Sequence, residues 1–97
     1  MRSEKIYIVA YDISDRKRWR QIYKTMQGFG EWLQLSVFQC RLTLRRRTEL
    51  EIELRKVIKS GEDHVLIIDI GHADRSHVTV TSLGSKISMI RREAVII

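Results

Sequence analysis

The 97-residue sequence predicts an α+β fold, a four-stranded antiparallel sheet with two helices on one face. Three observations carry this expectation. Residues 5–13 and 64–70 are short, apolar and rich in β-branched residues. Two other stretches repeat apolar residues at helical spacing. The two kinds alternate as strand, helix, strand, strand, helix, strand.

Residues 5–13 (KIYIVAYDI) read as a buried strand, and Ser14 or Asp15 then stands where a helix N-cap belongs. Trp19, Ile22, Tyr23 and Met26 fall at i, i+3, i+4 and i+7, one apolar stripe, and Gly28 and Gly30 end that helix. Residues 31–44 (EWLQLSVFQCRLTL) are strand-like but long, which puts a break at Ser36. Thr48, Glu49, Leu50 and Glu51 have the form of a capping box. Leu50, Leu54, Val57 and Ile58 continue it as a second amphipathic helix, with Gly61 as its C-cap. Residues 64–70 (HVLIIDI) are a further buried strand. This order is the ferredoxin-like βαββαβ arrangement, with a core of about residues 5–71 in a single domain spanning 1–97. Residues 78–81 (VTVT) and 94–97 (AVII) are strand candidates with no partner in the minimal fold, separated by a loop at 82–92. A strand at the chain end suits an exposed sheet edge on another subunit. The extension 72–97 is therefore expected to add a C-terminal strand within a homodimer.

Apolar residues make up 43% of the chain and charged residues 31%, the balance of a globular rather than a disordered protein. No apolar run approaches the roughly 18 residues of a membrane span. No apolar stretch follows the start as it would in a signal peptide. The single cysteine, Cys40, cannot form an internal disulfide. A cytoplasmic protein without membrane contact is expected. The net charge of +6 is uneven: residues 1–47 hold eleven Lys and Arg against four Asp and Glu, residues 48–97 seven against eight. A basic half favours a polyanion through counterion release, and nucleic acid is the commonest such partner.

Asp12 ends the first strand in phase with Ile6, Ile8 and Ala10, and a carboxylate on an apolar strand face needs a partner, a cation or water. A turn or capping aspartate is the plainer reading, and Asp15 reads as a cap or first-turn acid. One carboxylate per chain is too few for a conventional two-metal nuclease. In a symmetric dimer with its axis near the strand end, Asp12 of each subunit could face one Mg²⁺, or another divalent cation, completed by water. His64, His72 and His77 have no convincing metal-ligand spacing and read as solvated; Cys40 reads as a small buried thiol. Neither a P-loop nor a dinucleotide fingerprint is present. Arg16, Lys17, Arg18, Arg20 and Lys24 occupy the first helix, and Arg41 with Arg45, Arg46 and Arg47 crowds the end of the third strand and the turn after it. Without interleaved acids they suit phosphate contacts better than internal ion pairs, with a solvated charged face as the competing reading.

Tyr11-Asp12-Ile13-Ser14-Asp15, followed by Lys17-Arg18 and then by Leu35-Ser36-Val37-Phe38-Gln39-Cys40, resembles the Cas-two family, the small CRISPR-associated subunit of spacer acquisition. A V-x-V-x-x-L-G-like stretch at residues 78–84 keeps the family's order, and the likeness covers nearly the whole chain. The resemblance implies a ferredoxin-like homodimer acting on RNA or double-stranded DNA as a metal-dependent endonuclease and bridging the CRISPR integrase. Asp12 matches the family's metal-binding aspartate. Tyr11, Ser36 and Phe38 match residues that support the active site and the dimer core. The basic residues of the first helix match positions that track a DNA backbone. Position 16 is Arg where the family often has another acid, and Trp19 replaces a commonly charged residue; Trp19 fits the apolar stripe and reads as packing. Two alternatives stand beside this reading. One is a toxin-like mRNA endonuclease of similar fold. The other is a non-catalytic RNA-binding module that stacks bases on strand aromatics such as Phe38 and Tyr7, although no RNP1-like run surrounds residues 33–44.

Overall fold

Alternating apolar residues in the strands and apolar stripes in the helices build the expected order of elements. The structure, a computed structural model, describes residues 3–84. It contains β1 (Lys5–Asp12), α1 (Arg16–Gln27), β2 (Gly30–Gln34), β3 (Val37–Leu42), α2 (Leu44–Val57) and β4 (His64–His72). The strands form one antiparallel sheet in the order β2-β3-β1-β4. Each helix thus connects two strands that have a third between them, as the ferredoxin-like arrangement requires.

Period-two alternation gives β1 two distinct sides. Tyr7, Val9 and Tyr11 join Phe38, Cys40 and Leu42 of β3, Ile22 and Met26 of α1, and Leu50 and Leu54 of α2 in one apolar core. Each of the fully buried side chains Phe38, Ile22, Met26 and Leu50 stabilises the fold by roughly 1.5–3 kcal/mol. β2 approaches this core by its backbone: a Cβ at Gly30 would come within 2.5 Å of Cys40 Sγ. Burial pushes the Cys40 thiol up to about 11, in keeping with its reading as an inert buried group. The other side of β1 carries Ile8, Ala10 and Asp12, which lie opposite Ile68, Leu66 and His64 of β4. Leu66 and Ile68 are 48% and 46% exposed. The sheet is therefore apolar on both faces, and only one of them is covered among the described residues.

Several boundaries differ from the sequence reading. α2 starts at Leu44, because Thr43 is the N-cap and its hydroxyl accepts from Arg46 N at 3.2 Å. Thr48 is inside the helix, where its hydroxyl bonds back to the Leu44 carbonyl at 3.1 Å. The capping box expected at Thr48–Glu51 is thus replaced by a cap five residues earlier, and Arg45, Arg46 and Arg47 are helical rather than in a turn. α2 ends with Ile58 as its C-cap; Gly61 follows in the loop at φ +91. The break in the long strand-like stretch is a tight turn at Leu35 and Ser36, with Leu35 at φ +32. Residues 78–81 form no strand among the described residues. Residues 94–97, Arg91, Arg92 and most of the expected loop at 82–92 lie outside the described residues. No described helix is long and apolar enough to cross a membrane.

Candidate active site

Asp12 is the last residue of β1, exposed on the helix-free face. Its side chain makes no hydrogen bond or ion pair with another described residue. His64, the first residue of β4, lies directly across from it and is also exposed. A carboxylate and an imidazole therefore share one corner of the open face, beside Ala10 and Leu66. The sequence reading placed no chemistry on His64, because its position opposite Asp12 is set by the β1–β4 register and not by any local spacing.

The ground beneath this corner is built by Asp63. Its side chain is 0% exposed, and its carboxylate accepts from Arg18 Nε at 2.7 Å, Lys59 N at 2.7 Å and Ser14 N at 3.2 Å. The Arg18 guanidinium, helped by the two backbone N–H groups, holds this carboxyl well below the usual carboxylate range despite the opposing cost of burial. One anion thus fastens the β1–α1 junction, α1 itself and the residue that precedes β4. Asp15 is the N-cap of α1, its carboxylate accepting from Arg18 N at 2.9 Å, so the cap is Asp15 rather than Ser14. Asp63 was missed in the sequence reading because a polar loop residue shows no period.

A family model described as CRISPR associated protein Cas2 matches residues 5–78. The chain belongs to the Cas2 family. It is 49% identical over 94 residues to the CRISPR-associated endoribonuclease Cas2 of Geobacter sulfurreducens, covering 97% of this chain and 99% of the relative. It is 50% identical over 95 residues to the CRISPR-associated endoribonuclease Cas2 1 of Rhodospirillum rubrum, covering 98% and 93%. Its fold is similar to that of a hypothetical protein from Thermus thermophilus, with a TM-score of 0.73, 31% identity, and coverage of 86% and 96%.

In this Cas2 family member, the residues expected around Asp12 separate into two groups. Tyr11 and Phe38 are buried on the helix side of the sheet, with ring centroids 6.4 Å apart, and do not reach the face that carries Asp12. Phe38 is fully buried within its own subunit. Ser36 acts through the fold: its hydroxyl accepts from Trp19 Nε1 at 2.9 Å and its carbonyl from Tyr11 N at 3.1 Å. Trp19 stacks on Tyr23 at 5.4 Å between centroids, the packing role read from the apolar stripe.

The arginines also divide. At 3.6 residues per turn, Arg16, Arg20 and Lys24 share one flank of α1, with Lys17 beside them, whereas Arg18 points to the opposite flank. Arg18 is 20% exposed and paired with Asp63 and Glu62. The run Arg45–Arg47, expected to lack internal partners, meets acids one turn on: Arg45 and Arg46 pair with Glu49, and Arg47 with Glu51. Arg46 also lies 4.2 Å from the Phe29 ring centroid and donates to the Gly28 carbonyl at 3.1 Å. Arg41 pairs with Glu4. Arg45, 79% exposed in a loose 3.6 Å pair, is the member of the run still open to solvent. On α1, Arg16, Lys17 and Lys24 are exposed without an ion pair among the described residues.

Proposed function

We propose that this protein works as a cytoplasmic homodimer in CRISPR adaptation, bridging the CRISPR integrase and cleaving phosphodiesters of RNA or double-stranded DNA with a divalent cation. The observation that carries the reading is the placement of Asp12, an unpartnered carboxylate at the edge of an apolar, helix-free sheet face. A second copy laid on that face would cover Ile8, Ala10, Leu66 and Ile68 and bring two Asp12 carboxylates towards one axis. Among the described residues no three His, Cys, Asp or Glu side chains gather. The donor set therefore fits a divalent cation as a shared, water-rich site and not as a cage within one chain. Mg²⁺ or a related ion held there supplies charge neutralisation at a phosphoryl oxygen and a more acidic bound water.

The chain's own contributions are distinct. Asp12 holds the ion. Asp63 and Arg18 set the strand end that presents it. Arg16, Lys17, Arg20 and Lys24, with Arg45, contact phosphates and so position nucleic acid without reading its sequence. The names of the two bacterial relatives favour RNA as a substrate, while the exposed basic flank of α1 suits a duplex backbone equally well.

Asp12→Asn tests this directly. Cleavage of RNA and of duplex DNA in Mg²⁺ is expected to drop by about 10²-fold or more, with the dimer unchanged in sedimentation. Undiminished cleavage removes Asp12 from the chemistry. A wild-type monomer at micromolar concentration removes the shared site.

A further inference from the structure

The pairing of β1 with β4 runs without interruption from Tyr7 opposite Asp69 to Asp12 opposite His64, its single irregularity lying between Ile6 and Tyr7 at the other end. Directly opposed residues on one face have Cβ atoms about 4.5–5.5 Å apart. A carboxylate oxygen and an imidazole nitrogen at that spacing can both reach one cation lying about 2 Å from each. Neither Asp12 nor His64 is tied to another described side chain. Their backbones, by contrast, are fastened: Ser14, two residues after Asp12, and Asp63, immediately before His64, are joined by the Ser14 N–H bond to the Asp63 carboxylate. Two free donor side chains on a locked frame are what a metal site requires of one chain. With no third donor gathered there among the described residues, the set is incomplete without a second copy.

We propose that His64 is a second metal ligand at this corner, so that two copies offer one divalent cation two carboxylates and two imidazoles. The proposal rests on the shared-cation reading of Asp12 and deepens it by naming the metal class. Carboxylates and water alone suit Mg²⁺ and Mn²⁺ alike, whereas an imidazole donor adds affinity for first-row transition ions, least for Mn²⁺ and more for the later ones, and little for Mg²⁺. His64 therefore shifts the site's preference from Mg²⁺ towards first-row transition ions, for which paramagnetic Mn²⁺ serves as the probe. His72 lies opposite Lys5 at the far end of β4 and serves as an internal control.

The test is Mn²⁺ titration of the intact dimer, with free Mn²⁺ followed by electron paramagnetic resonance and the histidine ring protons by NMR. One Mn²⁺ is expected per two chains, and substoichiometric ion is expected to broaden the His64 ring signals before those of His72. His64→Ala and His64→Gln are each expected to weaken Mn²⁺ binding about tenfold or more while leaving Mg²⁺ binding within about twofold. Asp12→Asn is expected to weaken both. Unchanged Mn²⁺ affinity in the two His64 variants, or His72 broadening as early as His64, overturns the proposal. If Asp12→Asn still lowers affinity in that case, the shared-cation reading survives without His64. If Asp12→Asn also binds normally, that reading fails with it.

Discussion

The Trp19 indole donates from Nε1 to the Ser36 hydroxyl at 2.9 Å, while the Ser36 carbonyl accepts from Tyr11 N at 3.1 Å. One serine in a two-residue turn therefore ties α1 to the last core residue of β1. Ser36→Ala leaves a half-buried indole N–H unpaired and is expected to destabilise the protein by about 1–2 kcal/mol. Urea unfolding measures this; an unaltered midpoint means that the indole finds water instead.

Tyr11 presents the opposite case. Its hydroxyl is buried with no hydrogen-bond partner among the described residues, and burial holds the phenol's pKa far above its ordinary value. Tyr11→Phe removes an unsatisfied polar atom while keeping the ring, so stability is expected to rise by about 1 kcal/mol. Cation binding at Asp12 is expected to persist. A variant that loses cation binding with its stability intact would return Tyr11 to the site.

Asp63 sets the acid limit of the fold. Its folded-state pKa lies below the unfolded value of about 4, so its contribution is complete at neutral pH and disappears as pH falls from there through the folded value. The unfolding midpoints of the wild type and of Asp63→Asn are therefore expected to differ most at pH 7 and to converge towards pH 2. A gap that stays constant across this range means that the carboxylate's charge is not what stabilises the junction.

The two flanks of α1 are expected to respond differently to neutralisation. Changing Arg16, Lys17 and Lys24 together to Gln should weaken duplex binding and lower the salt slope by up to about 0.9 for each phosphate that is no longer neutralised. Arg18→Gln should instead lower thermal stability, since it strips the Asp63 carboxylate of its guanidinium. If the triple variant binds with the original slope, that flank is merely solvated.

What the sequence disclosed follows from where the physical signal is local. The period of two in β1 and the apolar stripe of α1 each sit within one element, and both were legible along with the order of strands and helices. Thr48 and Glu51 mimic a capping box, yet Thr43 caps α2 because the arginines between them extend the helix. Glu49 and Glu51 pair with arginines that precede them, so a run that looked free of acids is largely neutralised. Asp12 was visible as a carboxylate on an apolar face. Its neighbour His64 and the support from Asp63 were not, since both depend on how distant strands align. Tyr11 adjoins Asp12 in sequence yet faces the core beside Phe38.

β1 spans eight residues, and its two sides are committed to unrelated tasks. Gain or loss of one residue within it would rotate the tip by half a pleat, carrying the acid among the aromatic rings and the phenol out into water. Length changes in this strand are thus admissible only in pairs.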